Sequence, residues 1–368
     1  MKFSCDKYVL QQAAASAARA AAPKSPIAAL EGLLLEAGAD LRITGYDLKK
    51  AIYTNMEADI PEPGSVLVGA RLFCEMLRRM PDGIVTVEAE NGTVTVRCGR
   101  SSFNLVGMSA EDYPDLPSVE AENGVSLPQD LLKKMINECS FAVSTNESRP
   151  VYMGTLFEIA HNELTMVSVD GYRLALRREP VEGYGDDCSF IVPGTALSDL
   201  ERLCGDSDER VVLSVGSKHI SFTVGNTVIL SRRLEGDFLN YKKAIPESFR
   251  VTVKTARTDL LDVVERVSLI VDSKNNAPLR LTFRKDAIDF VCTTPLGKAA
   301  DSCPCEGDGG DLEIGFNDHY LSDALKAAPA EEINVCLNTG SSPCILVPAD
   351  GSDNFVYMVL PVRLRAGQ

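Results

Sequence analysis

Apolar and polar residues alternate over most of this chain, in short runs bounded by glycine, proline, asparagine or aspartate. An alternation with a period of two is typical of strands that bury one face. Between these runs lie segments with apolar residues at every third or fourth position, which predict amphipathic helices. The clearest one is SFIVPGTALSDLERL at residues 189–203, where a short apolar strand and a turn precede a helix with Leu197, Leu200 and Leu203 on one face.

This strand, turn and helix occur three times, at residues 65–80, 189–203 and 312–328. One apolar and one acidic position of the helix recur at equal spacing in the three copies, namely Phe73, Leu197 and Leu321, and Glu75, Asp199 and Asp323. A repeat with so long a period indicates copies of one structural module, here of about 124 residues.

Each repeat contains two predicted helices and several short, mostly antiparallel strands, which is an α+β pattern with helices on one side of the sheets. We expect three domains, at residues 1–120, 121–246 and 247–368. Three such domains joined head to tail make an arc. Two arcs with matching ends then close into a ring of six domains with twofold symmetry.

The elements follow from the apolar periods and the turn residues between them. The predicted helices are residues 6–22, 69–80, 128–143, 194–206, 255–271 and 317–328. The predicted strands are residues 2–5, 33–36, 41–44, 50–54, 84–89, 93–98, 102–106, 125–127, 153–160, 163–169, 172–177, 251–253, 279–284, 287–292, 298–303, 333–337 and 355–360, with a hairpin over 211–230. The glycine-rich residues 307–310 are expected to form a mobile loop.

Composition narrows the class of protein. The 368 residues contain 45% hydrophobic residues, which is ordinary for a globular protein, and no run of ~18 apolar residues that would cross a membrane. The first ten residues lack the apolar segment of a signal peptide, and eleven scattered cysteines fit reduced thiols better than a disulfide framework. We therefore expect a cytoplasmic protein without a membrane partner.

No motif indicates catalysis. The three histidines, His161, His219 and His319, lie far apart without a second ligand at helical spacing, and Cys303 and Cys305 lack a second pair at zinc spacing. Phosphate-binding loops and nucleophile elbows are absent. We expect no catalytic residue, no metal and no cofactor. A metal-dependent nuclease built on scattered carboxylates remains an alternative function.

Several motifs in order resemble one family. They are MKF at the start, TGYDL at residues 44–48, VDGYRLAL at 169–176, FIVP at 190–193, IGFN at 314–317 and LPVRL at 360–364. Together with the repeat, they make the whole chain similar to the bacterial DNA polymerase III beta subunit, the replicative sliding clamp. The resemblance implies a head-to-tail homodimer that encircles duplex DNA without sequence preference and tethers the replicative polymerase, without chemistry of its own. A scaffold that kept the ring but lost DNA loading is a third possibility.

The net charge of −15 is unfavourable for DNA binding unless the acidic residues lie away from the surface that faces DNA. Summed over the six predicted helices, which would line the ring, the charge is nearly neutral, so most of the excess acid lies elsewhere. Four cations of the first repeat are candidate DNA contacts, namely Lys24, Arg71, Arg78 and Arg79. Two further candidates, Asn146 and Arg149, match a second DNA loop of the family. The competing interpretation is a set of solvated surface cations.

The family binds short peptides of polymerases and clamp loaders in a groove between its second and third domains. Matching positions here are Tyr152, Val169, Gly171, Tyr172, Arg173, Leu174, Leu239, Lys243, Ala244, Asn317, Tyr320, Ser341, Pro343, Leu360, Pro361, Val362 and Arg363. Apolar members would take the anchors of the peptide, and Arg173 and Arg363 its polar ends. Leu239 and Asn276 depart from the family pattern. Taken alone, LPVRL is better explained as an ordinary edge strand.

At the seam between the two copies of the ring, the family pairs the last strand of the first repeat with the first helix of the third repeat. The matching residues are Phe103 and Leu105, and Ile270 and Val271. Packing within one monomer is the competing explanation. The role of the tail at residues 365–368, which follows the groove segment, stays open.

Overall fold

The computed structural model describes residues 1–119, 124–182, 187–271 and 277–364. Its helices are α1 Lys7–Ala18, α2 Ala70–Arg79, α3 Gln129–Ser140, α4 Gly194–Leu203, α5 Tyr241–Ala244, α6 Arg257–Ser268 and α7 Asp318–Ala327. The six predicted helices are confirmed, and the short α5 was not predicted. Three short 3₁₀ helices occupy Ala28–Glu31, Ala110–Asp112 and Pro150–Met153.

The first helix shows how local chemistry sets its ends. Asp6 caps α1, because its carboxylate accepts hydrogen bonds from the amides of Tyr8 at 2.8 Å and Val9 at 3.3 Å. We predicted that the prolines would end the helix at residue 22, but α1 ends at Ala18. The next amides bond to carbonyls three residues back, and the Ala22 amide bonds to the carbonyl of Leu30. The backbone therefore turns away before the prolines act.

Twenty-three strands are described. They are β1 Lys2–Asp6, β2 Gly32–Ala37, β3 Leu41–Tyr46, β4 Lys50–Met56, β5 Asp59–Glu62, β6 Gly64–Gly69, β7 Ile84–Glu90, β8 Thr93–Cys98, β9 Ser101–Val106, β10 Gly124–Pro128, β11 Gly154–Ala160, β12 Glu163–Val169, β13 Arg173–Pro180, β14 Cys188–Pro193, β15 Arg210–Val215, β16 His219–Val224, β17 Thr227–Arg232, β18 Val251–Ala256, β19 Leu279–Thr294, β20 Gly297–Phe316, β21 Glu332–Leu337, β22 Cys344–Pro348 and β23 Phe355–Val359. All the pairings between them are antiparallel.

The chain packs as two compact units. The first contains residues 1–133, 182–185 and 195–233, and the second contains residues 134–181, 186–194 and 234–368. The first unit holds a five-stranded sheet in the order β5-β1-β7-β8-β9 and an eight-stranded sheet in the order β10-β15-β16-β17-β4-β3-β2-β6. The second unit holds a ten-stranded sheet in the order β14-β11-β12-β13-β23-β22-β21-β18-β20-β19.

Each large sheet joins strands from two successive repeats. In the first unit, β17 of the second repeat pairs with β4 of the first repeat, and Leu230 lies opposite Ala51. In the second unit, β13 of the second repeat pairs with β23 of the third repeat, and Leu174 lies opposite Met358. We call these two pairings the first and second junctions. Sequence analysis did not anticipate that the sheets would cross from one repeat to the next.

The repeated helix position is buried in all three copies. Phe73, Leu197 and Leu321 are 0%, 2% and 2% exposed, respectively. Around Phe73, residues of α1, α2 and both sheets of the first unit form one apolar core. In α1, the side of the helix that enters this core carries alanines, which let the helix lie close to the sheet. The 3.6-residue period of the sequence therefore identified the inward face correctly.

The third repeat differs from the prediction. We expected separate strands at residues 279–284, 287–292 and 298–303, a mobile loop at 307–310 and a short strand at the start of the segment 312–328. The structure has two long strands instead, β19 and β20, with register shifts near Lys285. The glycines allow β20 to pass close to its neighbour, because a Cβ atom on Gly309 would lie 2.3 Å from Cβ of Phe283. Strands β5 and β22 were missed, and the predicted hairpin at 211–230 is a meander of β15, β16 and β17.

None of the described helices is long and apolar enough to span a bilayer. All eleven cysteines are free, and nine of them are buried. Burial raises the pKa of the Cys5 thiol to about 12 and that of Cys74 to about 11. These thiols are therefore poor nucleophiles at neutral pH.

The close approach at Gly309 predicts a selective loss of stability. In Gly309→Ala, the added methyl group must displace the backbone of β19, and we expect the free energy of unfolding to fall by ~1–3 kcal/mol. Differential scanning calorimetry measures this as a lower transition temperature. The matched control is Gly38→Ala, since a Cβ atom there meets nothing within 4 Å. Equal transition temperatures for the two variants would contradict the packing of β20 on β19.

Candidate functional site

An apolar patch lies on one face of the ten-stranded sheet in the second unit. It consists of two rows of directly paired residues, Leu156, Val167 and Leu176 in one row and Val169, Leu174 and Met358 in the next. All six side chains are buried and belong to one cluster. We call this cluster, with the partly buried apolar side chains that pack against it, the groove patch.

The structure brings several predicted groove residues together on this patch. Five of them belong to it or pack against it: Tyr152, Val169, Leu174, Ala244 and Leu360. Seven others are exposed: Gly171, Tyr172, Leu239, Lys243, Ser341, Val362 and Arg363. The remaining ones are partly or largely buried: Arg173, Asn317, Tyr320, Pro343 and Pro361. The predicted set therefore contains an apolar floor and an exposed, partly polar rim.

The linker before the third repeat packs on the groove patch through two aromatic residues that sequence analysis missed. The ring of Phe238 meets the ring of Tyr152 edge-on, with centroids 5.6 Å apart. Tyr241 is 4% exposed, and its hydroxyl donates a hydrogen bond to the carboxylate of Glu158. Burial and this carboxylate raise the pKa of Tyr241. Two aromatic residues within so short a linker were the signal that could have identified them.

The turn from β12 to β13 shapes one rim of the groove patch. The carboxylate of Asp170 accepts hydrogen bonds from the amides of Tyr172 at 2.9 Å and Arg173 at 3.1 Å. Gly171 has a φ of 95°, which a residue with a Cβ atom rarely adopts. The turn projects Tyr172, which is 59% exposed, against Tyr320, and the two rings stack with centroids 5.6 Å apart.

Arg173 lies inward from this rim and has internal partners. Its guanidinium donates to Asp170 at 2.9 Å and to Asp323 on α7 at 2.5 Å. It also lies over the ring of Tyr320, 4.7 Å from the centroid. The side chain is only 12% exposed. That Arg173 holds a polar end of a bound peptide stays a prediction; in this structure, its guanidinium ties the hairpin to α7.

The last described segment is held by backbone hydrogen bonds at the same rim. The amide of Leu360 donates to the carbonyl of Tyr172 at 2.8 Å, and the amide of Val362 donates to the carbonyl of Gly315 at 2.8 Å. Asn317 caps α7, because its side chain accepts a hydrogen bond from the amide of Tyr320 at 3.1 Å. Asn276 and the tail at 365–368 lie outside the described residues.

The four predicted DNA contacts of the first unit differ in whether a carboxylate of the same chain neutralises their charge. Arg78 and Arg79 both bind the carboxylate of Glu75, at 2.7 Å and 2.6 Å, and these hydrogen bonds lower the pKa of Glu75. Lys24 and Arg71 are exposed and have no ion pair within the described chain. The first unit therefore carries two uncompensated candidate cations and two that share one carboxylate.

The other two predicted DNA contacts lie in the second unit, in the loop after α3. Asn146 is exposed, and its side chain accepts a hydrogen bond from the amide of Ser148 at 3.0 Å. Arg149 is exposed as well, and its amide bonds to the carbonyl of Asn146 at 3.2 Å. The side chain of Asn146 thus orders the loop that presents Arg149.

The predicted seam residues lie in different units. Phe103, which is 42% exposed, and the half-buried Leu105 belong to β9, the edge strand of the five-stranded sheet. Ile270 and Val271 are half-buried and lie just after α6, which ends at Ser268. An edge strand with an exposed phenylalanine is an unusual feature for an isolated subunit.

Within the described ranges, no group of three or more histidine, cysteine, aspartate or glutamate side chains is arranged to hold a metal ion. His161 lies in the turn between β11 and β12 with a φ of 54°. The His319 side chain is 80% exposed. Burial lowers the pKa of His219, since it disfavours the charged imidazole.

Three family models match the chain in order. The N-terminal domain of the DNA polymerase III beta subunit matches residues 1–117, the central domain matches 126–240, and the C-terminal domain matches 242–363. The chain belongs to the DNA polymerase III beta subunit family.

Members of the beta subunit family align with almost the whole chain. The Beta sliding clamp of Bacillus subtilis is 30% identical over 378 residues, covering 99% of this chain and 100% of the relative. The Beta sliding clamp of Staphylococcus epidermidis is 30% identical over 357 residues, covering 94% of each. A crystal structure of the DNA polymerase sliding clamp from B. subtilis superimposes with a TM-score of 0.96 at 27% identity, covering 99% of this chain and 100% of that chain. The fold is that of three clamp domains.

The contacts of Asp170 generate a prediction about the groove rim. Asp170→Ala removes the acceptor of two amides and one of the two carboxylates around Arg173, and we expect a loss of ~1–3 kcal/mol in the free energy of unfolding. Thermal unfolding followed by circular dichroism would measure it. Glu247→Ala, which removes an exposed carboxylate in the same unit, is the control. If both variants melt together with the parent chain, Asp170 does not hold the turn.

Proposed function

We propose that this chain is a replicative sliding clamp. In this proposal, two copies form a closed head-to-tail ring around duplex DNA in the cytoplasm. The ring tethers the replicative polymerase without catalysing a reaction, and it docks the polymerase, the clamp loader and other proteins through the groove patch. The proposed domains are residues 1–120, 121–246 and 247–368, and the three matched family ranges support these boundaries.

The observation that supports the ring is the strand pairing at the two junctions. At each of them, an edge strand of one repeat pairs antiparallel with an edge strand of the next: β4 with β17, and β13 with β23. Three similar repeats imply a third junction, which the three repeats of this sequence do not form among themselves. The strands left for it are β9 in the first repeat and the first half of β20 in the third repeat. Strand β9 pairs only with β8 among the described strands.

A second copy can supply the missing strands. If the hairpins are equivalent, Lys298 of one copy would lie opposite Asn104 of the partner subunit, as Ala51 lies opposite Leu230 at the first junction. Phe103 and Leu105 would then lie in the seam, with Ile270 and Val271 nearby. Pairing satisfies backbone groups that would otherwise stay open on an edge strand. The same joint on both sides of a twofold axis closes the ring.

Encirclement explains how an acidic protein works on DNA. A closed ring stays on DNA by topology, so contacts with phosphates can be sparse and independent of sequence, which permits sliding. Lys24 and Arg71 are the uncompensated cations of the first unit that would make such contacts. Glu75 competes with phosphate for Arg78 and Arg79, and this competition keeps the attraction weak.

The groove patch is suited to short peptides with apolar anchors. Its floor consists of buried aliphatic side chains, and Tyr172, Leu239 and Val362 extend it to the surface at 59%, 36% and 38% exposure, respectively. Anchors that fill such pockets supply most of the affinity of an interface. Exposed Lys243 and Arg363 on the rim would complement acidic or carboxylate groups of the peptide.

Retention on DNA tests the ring. Loaded with the clamp loader of its own organism and ATP onto nicked circular DNA, the protein should stay bound in high salt. It should leave once a restriction enzyme makes the circle linear, because only topology holds it. Gel filtration of the DNA complex measures both states. Loss from intact circles in high salt would contradict encirclement.

The control for this experiment weakens the seam alone. Phe103→Asp places a charge in the edge strand β9 and should convert the dimer to a monomer and abolish retention on circles. Leu72→Asp places the same charge at a residue of α2 that is 60% exposed and should leave the dimer mass unchanged. Analytical ultracentrifugation reports both masses.

Polymerase binding tests the groove patch. Tyr152→Ala removes an aromatic wall of the patch, and we expect the affinity for the replicative polymerase to fall about tenfold or more, as for a hot-spot residue. Leu48→Ala, a residue of the first unit that is 48% exposed, is the control and should bind normally. Surface plasmon resonance on the intact dimer measures both. Equal affinities would place the polymerase site elsewhere.

A further inference from the structure

A buried ion pair ties the first junction. Lys50, at the start of β4, binds the carboxylate of Asp199 on α4, and Arg19 of α1 approaches the same carboxylate at 3.7 Å. The side chains of Lys50 and Asp199 are 11% and 9% exposed, respectively. This pair links the hairpin of the first repeat to a helix of the second repeat.

An equivalent ion pair ties the second junction. Arg173, at the start of β13, binds Asp323 on α7 at 2.5 Å. Here the cation comes from the hairpin of the second repeat and the carboxylate comes from a helix of the third repeat. The direction is the same as in the first junction, from the hairpin of one repeat to the helix of the next.

Two details show that the two pairs occupy equivalent positions in the repeat. Asp199 and Asp323 are each the sixth residue of a ten-residue helix, α4 and α7. Each cation also ends a turn that begins with an aspartate, since the amide of Lys50 bonds to Asp47 at 2.7 Å as the amide of Arg173 bonds to Asp170 at 3.1 Å.

The third copy lacks the cation. The corresponding turn of the third repeat runs from Thr294 to Gly297, so that glycine stands where the other copies have lysine or arginine. The corresponding carboxylate is Glu75, the sixth residue of α2, which binds Arg78 and Arg79 of its own helix instead. These pairs are largely exposed and therefore weak.

We propose that this ion pair locks the two junctions within each chain and that its loss leaves the seam between two copies unlocked. The inference rests on the proposed ring. In the proposed ring, the seam then depends on pairing of β9 with β20 and on apolar contacts, without this ion pair. Because an ion pair joins the sheet layer to the helix layer only inside the chain, the seam is the joint at which the ring separates reversibly.

Installing the lock at the seam tests this inference. Gly297 has a φ of 146°, so a single substitution there would be strained. The turn is therefore replaced as a whole by the residues of the second copy, with Thr294→Asp, Pro295→Gly, Leu296→Tyr and Gly297→Arg. Each ring has two seams, so two locks of about fivefold each should lower the dimer dissociation constant ~25-fold. Sedimentation at graded concentration measures it.

Two matched variants isolate the ion pair. The same graft with Gly297→Met keeps the turn and lacks the cation, and it should leave the dissociation constant at the value of the parent chain. Adding Glu75→Gln to the full graft should abolish the gain, because the carboxylate of the partner subunit is then neutral. High salt should shrink the gain as well.

Three outcomes would overturn the inference. One is a correctly folded full graft that dimerises no more tightly than the graft with Gly297→Met. Another is a weaker dimer when Glu75→Gln is made in the parent chain, since Glu75 would then already lock the seam through another cation such as Lys298. A parent chain that stays monomeric at every concentration would refute the ring itself, and the lock with it.

Discussion

Pairing between the edge strands of successive repeats is the constraint on which the rest of this structure depends. One repeat cannot satisfy the outer hydrogen-bonding groups of an edge strand in its first hairpins, and the last strand of the next repeat supplies them, as β17 does for β4 and β23 does for β13. The large sheets therefore cross the boundaries of the repeats, and the two compact units do not coincide with three domains. The groove patch forms at such a crossing, since Leu174 and Met358 become neighbours only through the second junction.

The spacing of apolar residues predicted most helices and strands well, because the burial of one face sets that spacing within each element. The recurrence of Phe73, Leu197 and Leu321 identified the inward face of the helix in all three copies, and each of these residues is at most 2% exposed. The same reasoning failed in the third repeat, where glycines at 307–310 suggested a loop. Their role is to let β20 pass against Phe283, and a close approach between strands distant in sequence leaves no local period to detect.

The candidate site was predictable in its apolar part and not in its charges. Residues such as Val169, Leu174 and Leu360 could be matched to a family motif, and the structure brings them together on one patch. Arg173 matched as well, but its partner Asp323 lies 150 residues away. A sum of formal charges likewise could not show that Glu75 holds Arg78 and Arg79. Ion pairing depends on distances that only the folded chain fixes.

The two junctions have the same strand pairing but carry different side chains at equivalent positions. At the first junction, the position of Val169 is occupied by Tyr46 and that of Leu174 by Ala51. Tyr113 of the first linker is buried there, and its hydroxyl lies 3.4 Å from the carbonyl of Thr44. The equivalent residue of the second linker, Phe238, has no hydroxyl and packs on Tyr152 instead. A repeated scaffold thus presents two different surfaces, because substitution at a few apolar positions changes what the linker can bury.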